Sequence, residues 1–244
     1  MNHEPPTGTD PEPPSGLYRQ CFENGLQHFS TAERMVLART SGEPVLTALC
    51  FDPLPQIISS LLENPRFGPL QARTVAHHHR SAAGLEALGH TAFIQDDGVR
   101  RGLLQNPVLP LGLFQRVWAH QRLLVLYQVV VDREISERTR AMAKDLLRSA
   151  FHQRAAEEQV ELILITEGRC LVALGATALD GRATALLCQR PVASVLLIEN
   201  LARWSATPPP LITHLRRQEV VRRNPALRRL LERHPNAKGA KPSL

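Results

Sequence analysis

The chain has 244 residues, 43% of them hydrophobic but only 5% aromatic, with a formal net charge of +6. A core of that composition rests on Leu, Val, Ile and Ala, which suits helix-on-helix packing and argues against a β-sandwich. Four cysteines without a C-x-x-C pair exclude a disulfide framework and point to a reducing, cytoplasmic setting; the longest apolar block, Leu123–Val131, is too short to cross a bilayer, so no membrane partner is expected.

Residues 1–16 hold five prolines and three acids and no apolar run, and are expected to form a disordered tail with no signal-peptide core. Ser30 and Glu33 have the spacing of a capping box, which predicts a helix through "AERMVLART". Asp52-Pro53 predicts another start, with Asp52 as N-cap and Ile57, Leu61 and Leu54 on one apolar stripe. Gly68-Pro69 opens the next, with Leu70, Val75 and Ala76 facing inward. "SAAGLEALG" should end at Gly89, "DDGVRRGLLQN" follows, and Pro110 opens "LGLFQRVWAH". Ser136 caps a long predicted helix running from Glu137 through "ELILI", with Met142, Leu146, Ala150 and Phe151 at helical spacing. The apolar runs 123–131 and 161–166 have β-branched content, but no hairpin turn adjoins either, so helix is favoured over strand. Residues 237–244 read as a basic, flexible tail.

A phrase recurs. "LLENP" at Leu61–Pro65 is answered by "LLQNP" at Leu103–Pro107, each followed shortly by a second proline. A residue before proline is driven out of the α region, so a helix stops there. Asn tolerates the left-handed conformation that closes helices, and the second proline can start the next one. The phrase therefore reads as a helix–corner–helix joint rather than a catalytic loop. A longer self-similarity lays Glu33–Pro53 over Gly168–Pro191, matching Cys50 with Cys188 and Pro53 with Pro191. It continues with Ile58–Asn64 over Ser194–Asn200 and Asp96–Pro107 over Asn224–Pro235. Two tandem, imperfectly duplicated units are expected, the first at 17–157 and a shorter second at 158–236.

This rhythm of helix pairs, D-P or R-P helix starts and "LLxNP" resembles α-helical repeat proteins of the HEAT-like and leucine-rich-repeat-variant kind. It looks in particular like an uncharacterised group of bacterial α-solenoid proteins. The resemblance covers most of residues 30–236 and implies an all-α fold, an α-α superhelix, and a binding scaffold with no catalytic residues to transfer. The missing proline after Asn200 and the shortened last unit depart from the pattern.

Candidate chemistry is sparse. His77, His78 and His79 are adjacent, so on a helix they point about 100° apart and cannot share an ion; no i+3 or i+4 ligand accompanies them. Cys50 and Cys188 read as small core residues, and the carboxylates of "DREISE", Asp132–Glu137, as a helix start. No nucleophile elbow, phosphate loop or zinc-protease motif occurs. No enzymatic activity, cofactor or metal is expected.

The charge is localised. Of 29 basic residues only three are lysine, and from His214 to Leu244 nine cations face two acids. That segment nets +7 and the rest of the chain −1. Arg216, Arg217, Arg222, Arg223, Arg228, Arg229 and Arg233 are the candidate contacts for a polyanion or an acidic protein surface. The expected function is a non-enzymatic helical scaffold that binds a partner protein; the alternative is nucleic-acid binding through phosphate contacts, since no stacking aromatics lie among these arginines.

Overall fold

Every regular element among residues 15–239, the part of the chain that the computed structural model describes, is a helix. The tail expected at 1–16 lies largely outside those residues; Ser15 and Gly16 already belong to the first helix. Packing divides the chain into two compact units, 1–113 and 114–244. That division is one of contacts and is separate from the sequence repeat boundary at 157/158.

The first unit holds α1 (Ser15–Asn24), α2 (Thr31–Thr40), α3 (Val45–Leu49), α4 (Pro55–Leu62), α5 (Pro69–His78), α6 (Ala82–Gly89) and α7 (Asp97–Gln105). Each helix packs on the next but one: α1 on α3, α2 on α4, α3 on α5, α4 on α6, α5 on α7. This stacking buries Leu46, Leu49, Ile57, Ile58, Leu61, Leu85, Leu88 and Leu103, an aliphatic core in keeping with the low aromatic content. The unit boundary falls inside α8 (Leu111–Trp118).

The second unit contains α9 (Leu123–Val131), α10 (Glu137–Gln153), α11 (Ala156–Ile165), α12 (Leu171–Leu174), α13 (Gly181–Cys188), α14 (Val195–Arg203), α15 (Pro209–Arg217), α16 (Glu219–Arg223) and α17 (Pro225–Glu232). The next-but-one pattern recurs in α9 on α11, α10 on α12, α11 on α13 and α13 on α15. Both doubtful apolar runs are helical, in α9 and α11.

The Ser30–Glu33 capping box is present, with both reciprocal bonds made. Asp52, by contrast, caps nothing at the start of α4, whose N-cap is Leu54. Its carboxylate accepts from Leu54 N–H at 2.9 Å and is fully buried against Arg34, Nη1 to Oδ2 3.2 Å. The long helix expected from Ser136 is two helices. Arg154 and Ala155 are extended, and the buried Gln159 reaches back to cap α10, its Nε2 donating to Phe151 O at 2.9 Å and Arg154 O at 3.1 Å. No proline or glycine marks that break; a side chain five residues downstream stabilises it.

The Asn-Pro phrase builds the same joint twice. Asn64 Nδ2 donates to Ala38 O (2.8 Å) and Ser41 O (2.9 Å), the free carbonyls ending α2, while its Oδ1 accepts from Arg66 N–H at 2.9 Å. Asn106 Nδ2 donates to Ala76 O (2.8 Å) and His79 O (2.9 Å) at the end of α5, and its Oδ1 accepts from Val108 N–H at 3.1 Å. Each buried Asn thus closes its own turn and caps the helix stacked beside it. The left-handed conformation expected of Asn is not used: Asn106 is extended (φ −75°, ψ 118°), as the following proline demands. Pro69 is the first residue of α5, whereas Pro110 stands just ahead of α8.

Candidate functional site

Three short helices carry the arginines. Prolines start α15, and Leu211, Ile212 and Leu215 anchor it, leaving Arg216 and Arg217 in its exposed last turn. Gln218 ends α15 and begins α16, and its Oε1 accepts from Val192 N–H at 3.2 Å. Only Val221 of α16 is buried, so Arg222 and Arg223 face outward. Asn224 then caps α17, its Oδ1 accepting from Ala226 N–H (3.0 Å) and Leu227 N–H (3.3 Å), with Pro225 at the first position. Leu227 and Leu231 pack inward; Arg228, Arg229 and Arg233 are exposed.

All seven candidate arginines are therefore on the surface. Among the described residues Arg223 alone of the seven has a carboxylate partner, Glu219 one turn back. Arg216, Arg217, Arg222 and Arg223 lie in last turns, where a cation also meets the negative end of the helix dipole. Glu219 and Glu232 are interspersed and exposed. Trp204, the aromatic side chain upstream, is unavailable for stacking on a ligand: it is 6% exposed and its indole N–H is bonded to Gly175 O.

The remaining sequence candidates have structural roles. Cys50 is fully buried, and burial raises its thiol pKa far above the usual range. Burial pushes Cys170 up to about 11 and also raises half-buried Cys188, so none of these three is a thiolate nucleophile at neutral pH. Asp132 accepts from Glu134 N–H at 2.8 Å in a turn, and Glu137 occupies the first turn of α10. His214 Nε2 bonds Arg190 O at 2.9 Å and His234 Nε2 bonds Trp204 O at 2.8 Å. Among the described residues no three His, Cys, Asp or Glu side chains are grouped so as to hold a metal ion.

The three adjacent histidines split by environment. His79 is buried and its Nδ1–H donates to Asp52 O at 3.1 Å. His78 is half-buried against Phe51, ring centroids 5.0 Å apart, and His77 is exposed. His77 and His78 line a cavity of about 440 Å³ within the first unit, together with side chains from α1, α3, α5 and α7. Sequence reasoning missed this cavity. His77 and His78 were visible in it, but its other walls, Tyr18, Phe51 and Arg101, come from distant elements.

These features define an all-α protein of stacked short helices whose charge is concentrated on its last three helices. No protein-family model, no curated protein and no solved structure matches the chain.

Proposed function

We propose that the protein is a non-enzymatic α-helical repeat scaffold of the HEAT-like kind, an α-α superhelix of two imperfectly duplicated units, that binds an acidic protein partner in the cytoplasm. The observation that carries this reading is the exposure of all seven arginines, six on α15, α16 and α17 and Arg233 at the end of α17, with one carboxylate partner among them in the described residues. Exposed guanidinium groups, planar and rich in donors, suit carboxylate recognition. A protein partner is favoured over a nucleic-acid backbone because exposed Glu219 and Glu232 interrupt the arginines and would repel a continuous row of phosphates. Next-but-one helix stacking supports the repeat reading. So does Asn200, the counterpart of Asn64, which likewise donates to a helix-ending carbonyl, Glu167 O at 2.8 Å.

The test pairs wild-type protein with an Arg222→Glu, Arg223→Glu, Arg228→Glu, Arg229→Glu variant. Both are used as bait in the native host and challenged with a DNA or RNA duplex at low and moderate salt. Salt-sensitive capture of an acidic protein, lost in the variant, supports the reading. Tight duplex binding lost in the variant replaces it with the nucleic-acid alternative, and identical capture by both baits removes the arginines from the function.

A further inference from the structure

The cavity of the first unit has a distinct chemistry. Its volume, about 440 Å³, is that of a site for one small molecule. Tyr18 of α1, Phe51 after α3 and His78 of α5 supply rings on its wall, and Phe51 and His78 already stack on one another at a 35° tilt. Arg73 and Arg101 supply cationic side chains, and no described Asp or Glu lines the space. Arg73 is held rigidly, its guanidinium making two parallel 2.9 Å bonds to Asp96, which in turn caps α7 through Val99 N–H at 2.9 Å. Arg101 is exposed at the opening. Two further cations stand close by, Arg19, whose guanidinium carbon lies 5.4 Å from the centre of the Phe51 ring, and Arg80.

Gly98 and Gly102, on two successive turns of α7, also line the space and let α7 lie close against α5. A Cβ at Gly102 would come within 3.2 Å of Ala76 Cβ and of His77 N, and one at Gly98 within 2.5 Å of Arg73 Nε. Side chains there would push α5 away or displace Arg73 into the opening. His78 is pulled down to about 4, first by burial and then by His77, Arg19 and Arg80, so it presents a neutral ring at neutral pH.

We propose that this cleft binds a small organic anion carrying a flat ring, the ring lying against Phe51 and His78 and the anionic group directed toward Arg101 and His77. Stacking and ionic contact supply separable parts of the recognition. This site is independent of the arginines on the last three helices.

The test is titration calorimetry with AMP and indole-3-acetate as flat-ringed phosphate and carboxylate probes. Adenosine serves as ring without charge and ribose 5-phosphate as charge without ring. At least one flat-ringed anion should bind with a Kd below about 1 mM, and each matched control at least about tenfold more weakly. Arg101→Glu and His77→Glu, both at exposed positions, should each weaken binding about tenfold or more, with the helical far-UV circular dichroism signature retained. Phe51→Leu should weaken the ring-bearing probes selectively. The fourfold arginine variant of the C-terminal helices should bind the probe as wild type does. Failure of both anions to bind, binding unaffected by Arg101→Glu and His77→Glu, or ribose 5-phosphate binding as tightly as AMP would overturn the proposal.

Discussion

Asn64 Nδ2 lies 2.8 Å from the carbonyl oxygen of Ala38, a residue on a different helix 26 positions earlier. That one bond, with its neighbour to Ser41 O, converts a sequence punctuation mark into a tertiary contact. Asn106 repeats it on Ala76 and His79. Removing either amide leaves buried carbonyls without a donor. Asn64→Ala and Asn106→Ala should each lower unfolding free energy by ~2 kcal/mol or more, measured by urea denaturation. Pro65→Ala and Pro107→Ala, at exposed positions, should cost much less.

The Arg34–Asp52 pair predicts a different pattern. Asp52 is fully buried and Arg34 nearly so, and burial raises the Asp52 pKa against the pull of Arg34 and Leu54 N–H. Asp52→Ala strands a buried guanidinium and should cost about 3 kcal/mol or more. The double variant Arg34→Met, Asp52→Leu should be less destabilised than Asp52→Ala alone, a coupling that a double-mutant cycle in urea measures directly.

Two histidines set a pH dependence. His78 is pulled down from 6.5 to about 4, and His79 is lowered by burial. With folded-state pKa values depressed, the unfolded chain takes up protons first as pH falls. The contribution of these groups is complete above pH 6.5 and is lost as pH drops toward 4. Asp96, held at about 2 by the Arg73 hydrogen bond, adds a second loss below its ordinary 3.8. Melting temperature should therefore decline from pH 7 to pH 4, and His78→Gln should flatten part of that slope. A slope identical in His78→Gln would contradict the assignment.

Gly168 tests the turn after α11. It has φ 75°, and a Cβ there would stand 2.9 Å from Asn200 Cβ. Gly168→Ala adds left-handed strain to a contact that cannot relax without moving α14, and should destabilise by roughly 1–3 kcal/mol by thermal or urea unfolding.

Local signals in the sequence translated well. The Ser30–Glu33 box, the helix stop at each Asn-Pro and the helical state of Leu123–Val131 follow from chemistry within a few residues, whereas the bonds by which Asn64 and Asn106 cap a neighbouring helix do not. What was not legible depends on long-range partners. Asp52 has the sequence of an N-cap, but Arg34, 18 residues earlier, draws it into the core. The stop at Arg154 has no local breaker because Gln159 caps it through space. The arginines were legible as charge, while their exposure came from the leucines spaced between them. The first-unit cavity was not, since α1, α3, α5 and α7 meet only in the fold.

The central claim, a scaffold that engages an acidic protein through α15–α17, is tested most directly by comparing wild type with the fourfold Glu variant at Arg222, Arg223, Arg228 and Arg229 as bait across a salt series. The account predicts an acidic protein captured by wild type at low salt, weakened as salt rises, and absent from the variant, with both proteins equally folded by circular dichroism. Capture that is equal in the two, or insensitive to salt, would contradict it.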